Sequence, residues 1–265
     1  MTARTPAEAA LLALQCLDLT SLKDEDSDDS IRALAARAAT PHGAPAALCV
    51  YPRFVPVARQ ALDAQGLTAV RVATVVNFPQ GQRPASQVVA EIEGALAAGA
   101  DEIDLVFPWR ALLDGQPQVG AELVGAGRRA CQRAGSPVPL KVILETGELR
   151  DPATILEAGR IAAAEGADFL KTSTGKVPVN ATPEAVACLL QVINEHGGRV
   201  GLKIAGGVTG IADVQAYLDQ VARACGDSWL TPEHLRFGAS SLVGALLAAL
   251  DGLPPPAAAT PRAAY

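Results

Sequence analysis

The chain has 265 residues, a formal net charge of −6, 49% hydrophobic residues and 19% charged ones. No uncharged apolar run approaches the roughly 18 residues that a membrane span requires, and the acidic balance argues against a nucleic-acid partner. Such a composition supports a large core, and disorder is expected only at the ends.

The first residues, MTARTPAEAALLALQCLDLT, lack the basic, apolar and small-residue blocks of a secretory leader, so the cytoplasm is the expected compartment. Eight short apolar or β-rich segments then follow in chain order: CLDLT (16–20), ALCVY (47–51), RVATVV (71–76), EIDLVF (102–107), LKVILE (140–145), DFLKTS (168–173), RVGLKI (199–204) and LRFGAS (235–240). Between them, Ala-rich stretches such as 84–99, 152–166 and 211–224 carry apolar residues three and four apart. Several open on a proline or a cap, as in Thr182-Pro183-Glu184. Strands alternating with helices imply a parallel sheet. The GxGxxG that often follows the first strand of an open doubly wound sheet is absent. Eight strands in a chain of this length predict instead a single-domain α/β fold, a (β/α)8 TIM barrel of ~250 residues. The barrel is expected over 1–253, followed by a flexible Pro- and Ala-rich tail over 254–265 that ends in Tyr265. The acidic run Asp24 to Asp29 reads as a solvated loop before a helix beginning near Ser30.

Five cysteines stand far apart without a CxxC pair, and there are only three histidines, which suggests neither a zinc site nor a disulfide framework. Buried free thiols are expected, with Cys49 the one whose segment end could face a site. Of the 22 basic residues only Lys23, Lys141, Lys171, Lys176 and Lys203 are lysines, and the other 17 are arginines. A chain that favours arginine wherever charge suffices keeps lysine where an amine must lose its proton and act as a nucleophile. Four of the five lie between 141 and 203.

In a barrel alternate strand residues point to the axis, and chemistry sits at the C-terminal strand ends. Asp104, Lys141, Lys171 and Lys203 then place an ionisable group inside the barrel from each of strands four to seven. Burying such groups costs several kcal/mol unless they are paired, so a purely structural role is a poor explanation. Lys171 and Lys203 fall on neighbouring strands. Two ammonium groups ~5 Å apart at an effective dielectric near 20 repel by roughly 3 kcal/mol, about two pKa units. One amine can then be neutral near pH 7, and an adjacent cation with a carboxylate can move the protons of carbinolamine chemistry. The constellation reads as Schiff-base catalysis. A second constellation is rich in glycine and hydroxyl groups: Thr172-Ser173-Thr174-Gly175-Lys176, Ala205-Gly206-Gly207-Val208 and Gly238-Ala239-Ser240-Ser241. On three adjacent strand ends these loops suit a phosphate.

The residues closely resemble the deoxyribose-phosphate aldolase family of class I, Schiff-base-forming aldolases. The resemblance runs through LDLT (17–20), CVYPRFVPVAR (49–59), TVVNFPQG (74–81), GADEIDLVFPWRAL (99–112), LKVILETGEL (140–149), GADFLKTSTGK (166–176), VNATPEA (179–185), GLKIAGGV (201–208) and RFGASSL (236–242) to Tyr265. It implies a (β/α)8 barrel that reversibly cleaves 2-deoxy-D-ribose 5-phosphate into acetaldehyde and D-glyceraldehyde 3-phosphate, without metal or organic cofactor. By the same resemblance Lys171 is the Schiff-base lysine, Lys203 the second active-site lysine and Asp104 the proton-transfer carboxylate. Asp18 and Lys141 belong to the surrounding charged network. Tyr265 takes part in protonating the enamine, within reach because an extended chain from Asp251 spans at most ~45 Å. Gly175, Lys176, Gly206, Gly207, Gly238, Ser240 and Ser241 match the phosphate loops. Phosphorylated sugars and aldehydes are then the expected partners, with neither nucleic acid nor membrane, and a homodimer fits the family's habit.

Two positions depart from the family pattern: Ile204 stands where KPAGG has its proline, and Thr209 where an arginine follows the glycines. Loss of that cation predicts phosphate affinity weaker by about 1.5–3 kcal/mol. Alternatives are a lysine-dependent aldolase using another aldehyde donor, a non-catalytic barrel that binds sugar phosphates, and a scaffolding protein.

Overall fold

A computed structural model describes residues 4–132 and 137–254. Eight parallel strands close in chain order, with β1 pairing to both β2 and β8. They are β1 (Leu17–Thr20), β2 (Ala47–Val50), β3 (Arg71–Val76), β4 (Glu102–Val106), β5 (Leu140–Ile143), β6 (Phe169–Lys171), β7 (Gly201–Ala205) and β8 (Leu235–Ala239). The expected (β/α)8 barrel is therefore the fold.

Most strands are a residue or two shorter than the apolar segments that announce them. The segment 140–145 stops being strand at Ile143, because Glu145 turns the chain with a left-handed backbone, φ 59°. The segment 168–173 keeps only Phe169–Lys171, the rest turning into the loop that carries Thr174 and Gly175. The helix expected near Ser30 starts earlier, at Asp28. Ser27 accepts from the Ser30 N–H while the Ser30 hydroxyl accepts from the Ser27 N–H, and Asp28 and Asp29 occupy the first turn where the helix dipole favours them.

Strand alternation divides the barrel into two unlike faces. Register pairs Lys171 with Lys203, Lys203 with Arg236, Asp104 with Lys141, and Asp18 with Gly238, so these residues share the inner face. Their neighbours Leu19, Leu48, Ile103, Val142, Leu202 and Phe237 fall on the outer face and are buried in the core against the helices. The inner face makes room for long side chains with small ones: Ala47, Ala73, Gly201, Ala205 and Gly238 lie in register with it. At Gly201 a Cβ would come within 2.5 Å of the Phe169 ring, so only glycine lets that ring fill the lumen. The helix Pro6–Gln15, opened by a Thr5–Glu8 capping box, packs against the last helix Leu242–Leu250. Among the described residues no helix is long and apolar enough to cross a membrane.

Candidate active site

Three lysines converge on one carboxylate at the barrel axis. Asp104, at the centre of β4, accepts from Lys141 at 2.7 Å through Oδ1, and from Lys171 at 2.8 Å and Lys203 at 2.7 Å through Oδ2. The network extends below it. Lys203 also pairs with Asp18 at 2.5 Å, Lys141 with Glu102 at 2.6 Å, and Arg236 bridges Asp18 at 2.7 Å and Glu102 at 2.9 Å. All seven groups are buried, yet Lys171 differs from the other two amines in two ways. Among the described residues it has a single carboxylate within ion-pair distance, shared with both of them, and it is 2% exposed where Lys141 and Lys203 are at 0%. As the last residue of β6 it faces the mouth from which a substrate enters.

The proton affinities follow from these contacts. Burial lowers the Lys171 amine below the ordinary lysine value, and the Lys203 charge adds to this against the pull of Asp104. Desolvation is the larger cause, so the Lys203 repulsion emphasised by the sequence is the second contribution rather than the first. Burial acts on Lys203 too, but Asp104 and Asp18 outweigh it and hold that amine well above its ordinary value. Lys141 is raised for the same reason by Asp104 and Glu102. Burial alone would raise the Asp104 carboxyl; the three ammonium groups overcome it and keep Asp104 ionised far below the usual range. Cys49, on the inner face of β2, has a thiol that burial pushes up and keeps protonated.

The glycine loops meet above the ends of β6, β7 and β8. Gly206 has φ 76°, a Cβ there would collide with Asn180 at 2.7 Å, and its N–H donates to the Gly238 carbonyl at 3.3 Å, so one glycine touches the loop after β6 and the end of β8. Gly175 and Gly207 also adopt positive φ, 84° and 80°. The Lys176 N–H donates to the Thr174 hydroxyl, and Ser241 starts the last helix without a side-chain cap. Glu145 anchors this region, accepting from the Thr174 N–H at 3.0 Å and the Thr174 hydroxyl at 2.5 Å. Thr209 gives both its N–H and its hydroxyl to Asp213. Ile204 points to the opposite face from Lys203 and is buried in the outer core, so its departure from the family pattern reaches the mouth only indirectly. A surface hollow of about 510 Å³, lined by Ala187, Gln191 and Arg223, lies outside the barrel between the helices Pro183–Glu195 and Ile211–Cys225, away from the amines.

A family model for DeoC/LacD family aldolases matches residues 12–246. The chain belongs to the DeoC/LacD family of aldolases. Membership makes it a carbon–carbon lyase. Among solved structures it is similar to a protein of Toxoplasma gondii ME49 provisionally assigned as a deoxyribose-phosphate aldolase, with 26% identity, 94% of this chain and 96% of that one covered, and a TM-score of 0.84. It is also similar to an aldolase called QR15, with 26% identity, 90% and 96% covered, and a TM-score of 0.74. The tetrameric deoxyribose phosphate aldolase of Aeropyrum pernix is a further likeness, at 25% identity, 94% and 98% coverage and a TM-score of 0.71.

In this aldolase the residues singled out from sequence fall into two groups. Asp18, Asp104, Lys141, Lys171 and Lys203 are brought into one ion-pair network. Gly175, Lys176, Gly206, Gly207, Ser240 and Ser241 lie in the loops that follow β6, β7 and β8, Gly238 lies within β8 on the inner face, and Tyr265 falls outside the described residues. Sequence reading passed over Glu102, Arg236 and Glu145. The first two carried a usable signal: Glu102 is two residues before Asp104, and Arg236 lies on the strand next to Lys203, so alternation puts both inside. Glu145 carried none, since its role depends on a left-handed turn within an apparently continuous strand segment.

Proposed function

We propose that this aldolase reversibly cleaves 2-deoxy-D-ribose 5-phosphate into acetaldehyde and D-glyceraldehyde 3-phosphate through an imine on Lys171. The observation that carries the reading is the sharing of one carboxylate among three amines, of which, among the described residues, Lys171 alone has no second carboxylate within ion-pair distance and is not fully enclosed. A lowered lysine beside raised ones is what nucleophilic attack needs, because the neutral amine is the reactive form.

In the cleavage direction the Lys171 amine attacks C1 of the open-chain sugar, and loss of water leaves a protonated imine. That iminium accepts the electron pair of the breaking C2–C3 bond. The C3 hydroxyl passes its proton to Asp104, directly or through a water beside Lys203. D-Glyceraldehyde 3-phosphate departs, leaving a neutral enamine and one additional proton in the charged network, so the total charge is unchanged by the carbon–carbon step. Return of the proton to C2 restores the iminium, which water hydrolyses to acetaldehyde and the free amine. Lys171 is itself the electron sink, so the route needs no metal or organic cofactor. The 5-phosphate is assigned to the loops that contain Gly175, Lys176, Gly206, Gly207, Ser240 and Ser241, with Gly238 beside them near the end of β8, where Lys176 supplies a cation and glycine backbones permit close approach.

Borohydride reduction in the presence of acetaldehyde, followed by peptide mass spectrometry, is expected to leave a two-carbon adduct on Lys171. Lys171→Leu should abolish both the adduct and retro-aldol cleavage. An adduct on another lysine, or cleavage that survives Lys171→Leu, overturns the reading, and preference for a ketone donor over acetaldehyde would redirect it to a different donor class.

A further inference from the structure

The ion-pair network is not balanced. Linked by contacts under 4 Å, its buried members are four cations, Lys141, Lys171, Lys203 and Arg236, and three carboxylates, Asp18, Glu102 and Asp104. One positive charge is in excess when every group is ionised. Each of Lys141, Lys203 and Arg236 contacts at least two carboxylates, and Lys171 contacts one, so the excess is relieved with least loss of ion pairing when Lys171 is neutral.

We propose that Arg236 and Glu102, toward the N-terminal ends of β8 and β4, are positioning residues that set this charge count and so select Lys171 as the amine that gives up its proton. The proposal rests on the imine reading above. Neither residue contacts Lys171, and each acts through the groups it holds: Arg236 satisfies Asp18 and Glu102, leaving Asp104 to be shared by the three lysines. Other groups around Lys171 lie outside this set of ion-pair contacts. Cys49 faces it from β2 as a protonated thiol, and Thr74 lies on the outer face of β3 bonded to the Val50 carbonyl. Glu145, in the loop after β5, is a further buried carboxylate whose charge reaches Lys171 from outside ion-pair contact; burial raises its proton affinity and both of its oxygens accept from Thr174. Arg71, half-exposed on β3, touches Glu102 at 3.5 Å from the solvent side and only adds to the positive excess.

The signs are opposite for the two residues. Removing Arg236 leaves three cations for three carboxylates, so Lys171 can keep its proton; removing the Glu102 charge raises the excess to two, so Lys171 loses its proton more readily. Both lie two strands from Lys171, roughly 10 Å, where a unit charge at an effective dielectric near 20 shifts a titration by about one pH unit.

The test measures the initial rate of acetaldehyde adduct formation on Lys171, trapped with borohydride and quantified by mass spectrometry, as a function of pH. The acid limb should move up by about one unit in Arg236→Met, move down by about one unit in Glu102→Gln, and return close to its original position in the double variant. Arg236→Lys, which keeps the charge, should leave the limb where it was. A purely structural role would change the amount of folded protein or the plateau rate, not move the limb in opposite directions. If Arg236→Met does not fold, the downward shift in Glu102→Gln and the unmoved limb of Arg236→Lys still decide. Limbs that shift in the same direction, or stay fixed in Glu102→Gln while the adduct forms, overturn the charge-count proposal and leave the imine reading intact. An unmodified Lys171 in the original protein at every pH removes both.

Discussion

Replacing Lys203 by methionine deletes the cation nearest to Lys171 and keeps an unbranched side chain of comparable length. Both amines lie within 2.8 Å of the same oxygen, Asp104 Oδ2, which limits their separation to about 5.5 Å. At an effective dielectric near 20 that repulsion is roughly 3 kcal/mol, or about two pH units in the titration of Lys171. Loss of the competitor also strengthens the Asp104 hold on Lys171, which acts in the same direction. Burial, the larger cause of the lowered amine, is unaffected, so the acid limb of adduct formation should rise by about two units and stop there. Below both limbs the variant should react about 100-fold more slowly, and raising the pH should restore the loss. Asp18 retains Arg236 at 2.7 Å, but breaking a buried pair commonly costs about 3–5 kcal/mol, so thermal unfolding must be measured before the kinetics are compared. An unmoved acid limb would show that burial alone neutralises Lys171. A deficit that persists at high pH would instead make Lys203 a direct participant, and either outcome refutes the repulsion argument.

Asp104→Asn should separate two steps that the native enzyme combines: adduct formation on Lys171 persists, because the main attraction holding its proton is gone, while carbon–carbon cleavage falls by about 10²–10⁴ for want of the base. Equal losses of trapping and turnover would contradict the assignment. Thr209→Arg frees Asp213 from the threonine hydroxyl and offers a cation at the mouth; the preference for deoxyribose 5-phosphate over deoxyribose should rise about 10- to 150-fold, and an unchanged ratio counts against a phosphate role for the position. The pH dependence of stability has a defined sign. Asp18 and Asp104 are held below their usual range, so their stabilisation is complete above the unfolded value of about 3.9 and is lost as pH falls toward the lower folded values. Urea unfolding at descending pH should therefore show a loss beginning only near pH 4 and steepening below it; a protein that grew more stable on acidification would exclude the ion-pair arrangement.

Much of the barrel is written into local pattern, because each strand needs only a short apolar run and a helix to cover it. EIDLV fixes Asp104 as inward once Ile103 and Leu105 are given to the core, and GLKIA does the same for Lys203 between Leu202 and Ile204. The same alternation reaches Glu102 and Arg236, but attention to C-terminal strand ends, where barrel chemistry lies, leaves them out. Pairing across the lumen is not legible in any single segment. Asp18 meets Lys203 and Arg236 because closure brings β1 beside β8, a consequence of the whole ring rather than of LDLT. The order of causes at Lys171 is hidden for a similar reason: its burial depends on how completely the surrounding loops and strands exclude water, which spacing does not report.

The two faces of the strands also explain how so costly an interior is tolerated. Stability comes from the outer face, where leucines, isoleucines and valines pack against the helices, so the inner face is free to hold groups that would each cost several kcal/mol if left unpaired. The inner charges in turn fix the strands in place. A slip of one residue in β4 would turn Glu102 and Asp104 into the helix interface and Ile103 into the lumen, and Lys141, Lys171 and Lys203 would all lose Asp104 together. A network that settles which amine is neutral therefore also penalises every register but the native one, so single substitutions within it should perturb reactivity and stability together. Paired substitutions that preserve the count, such as Arg236→Met with Glu102→Gln, should disturb reactivity least.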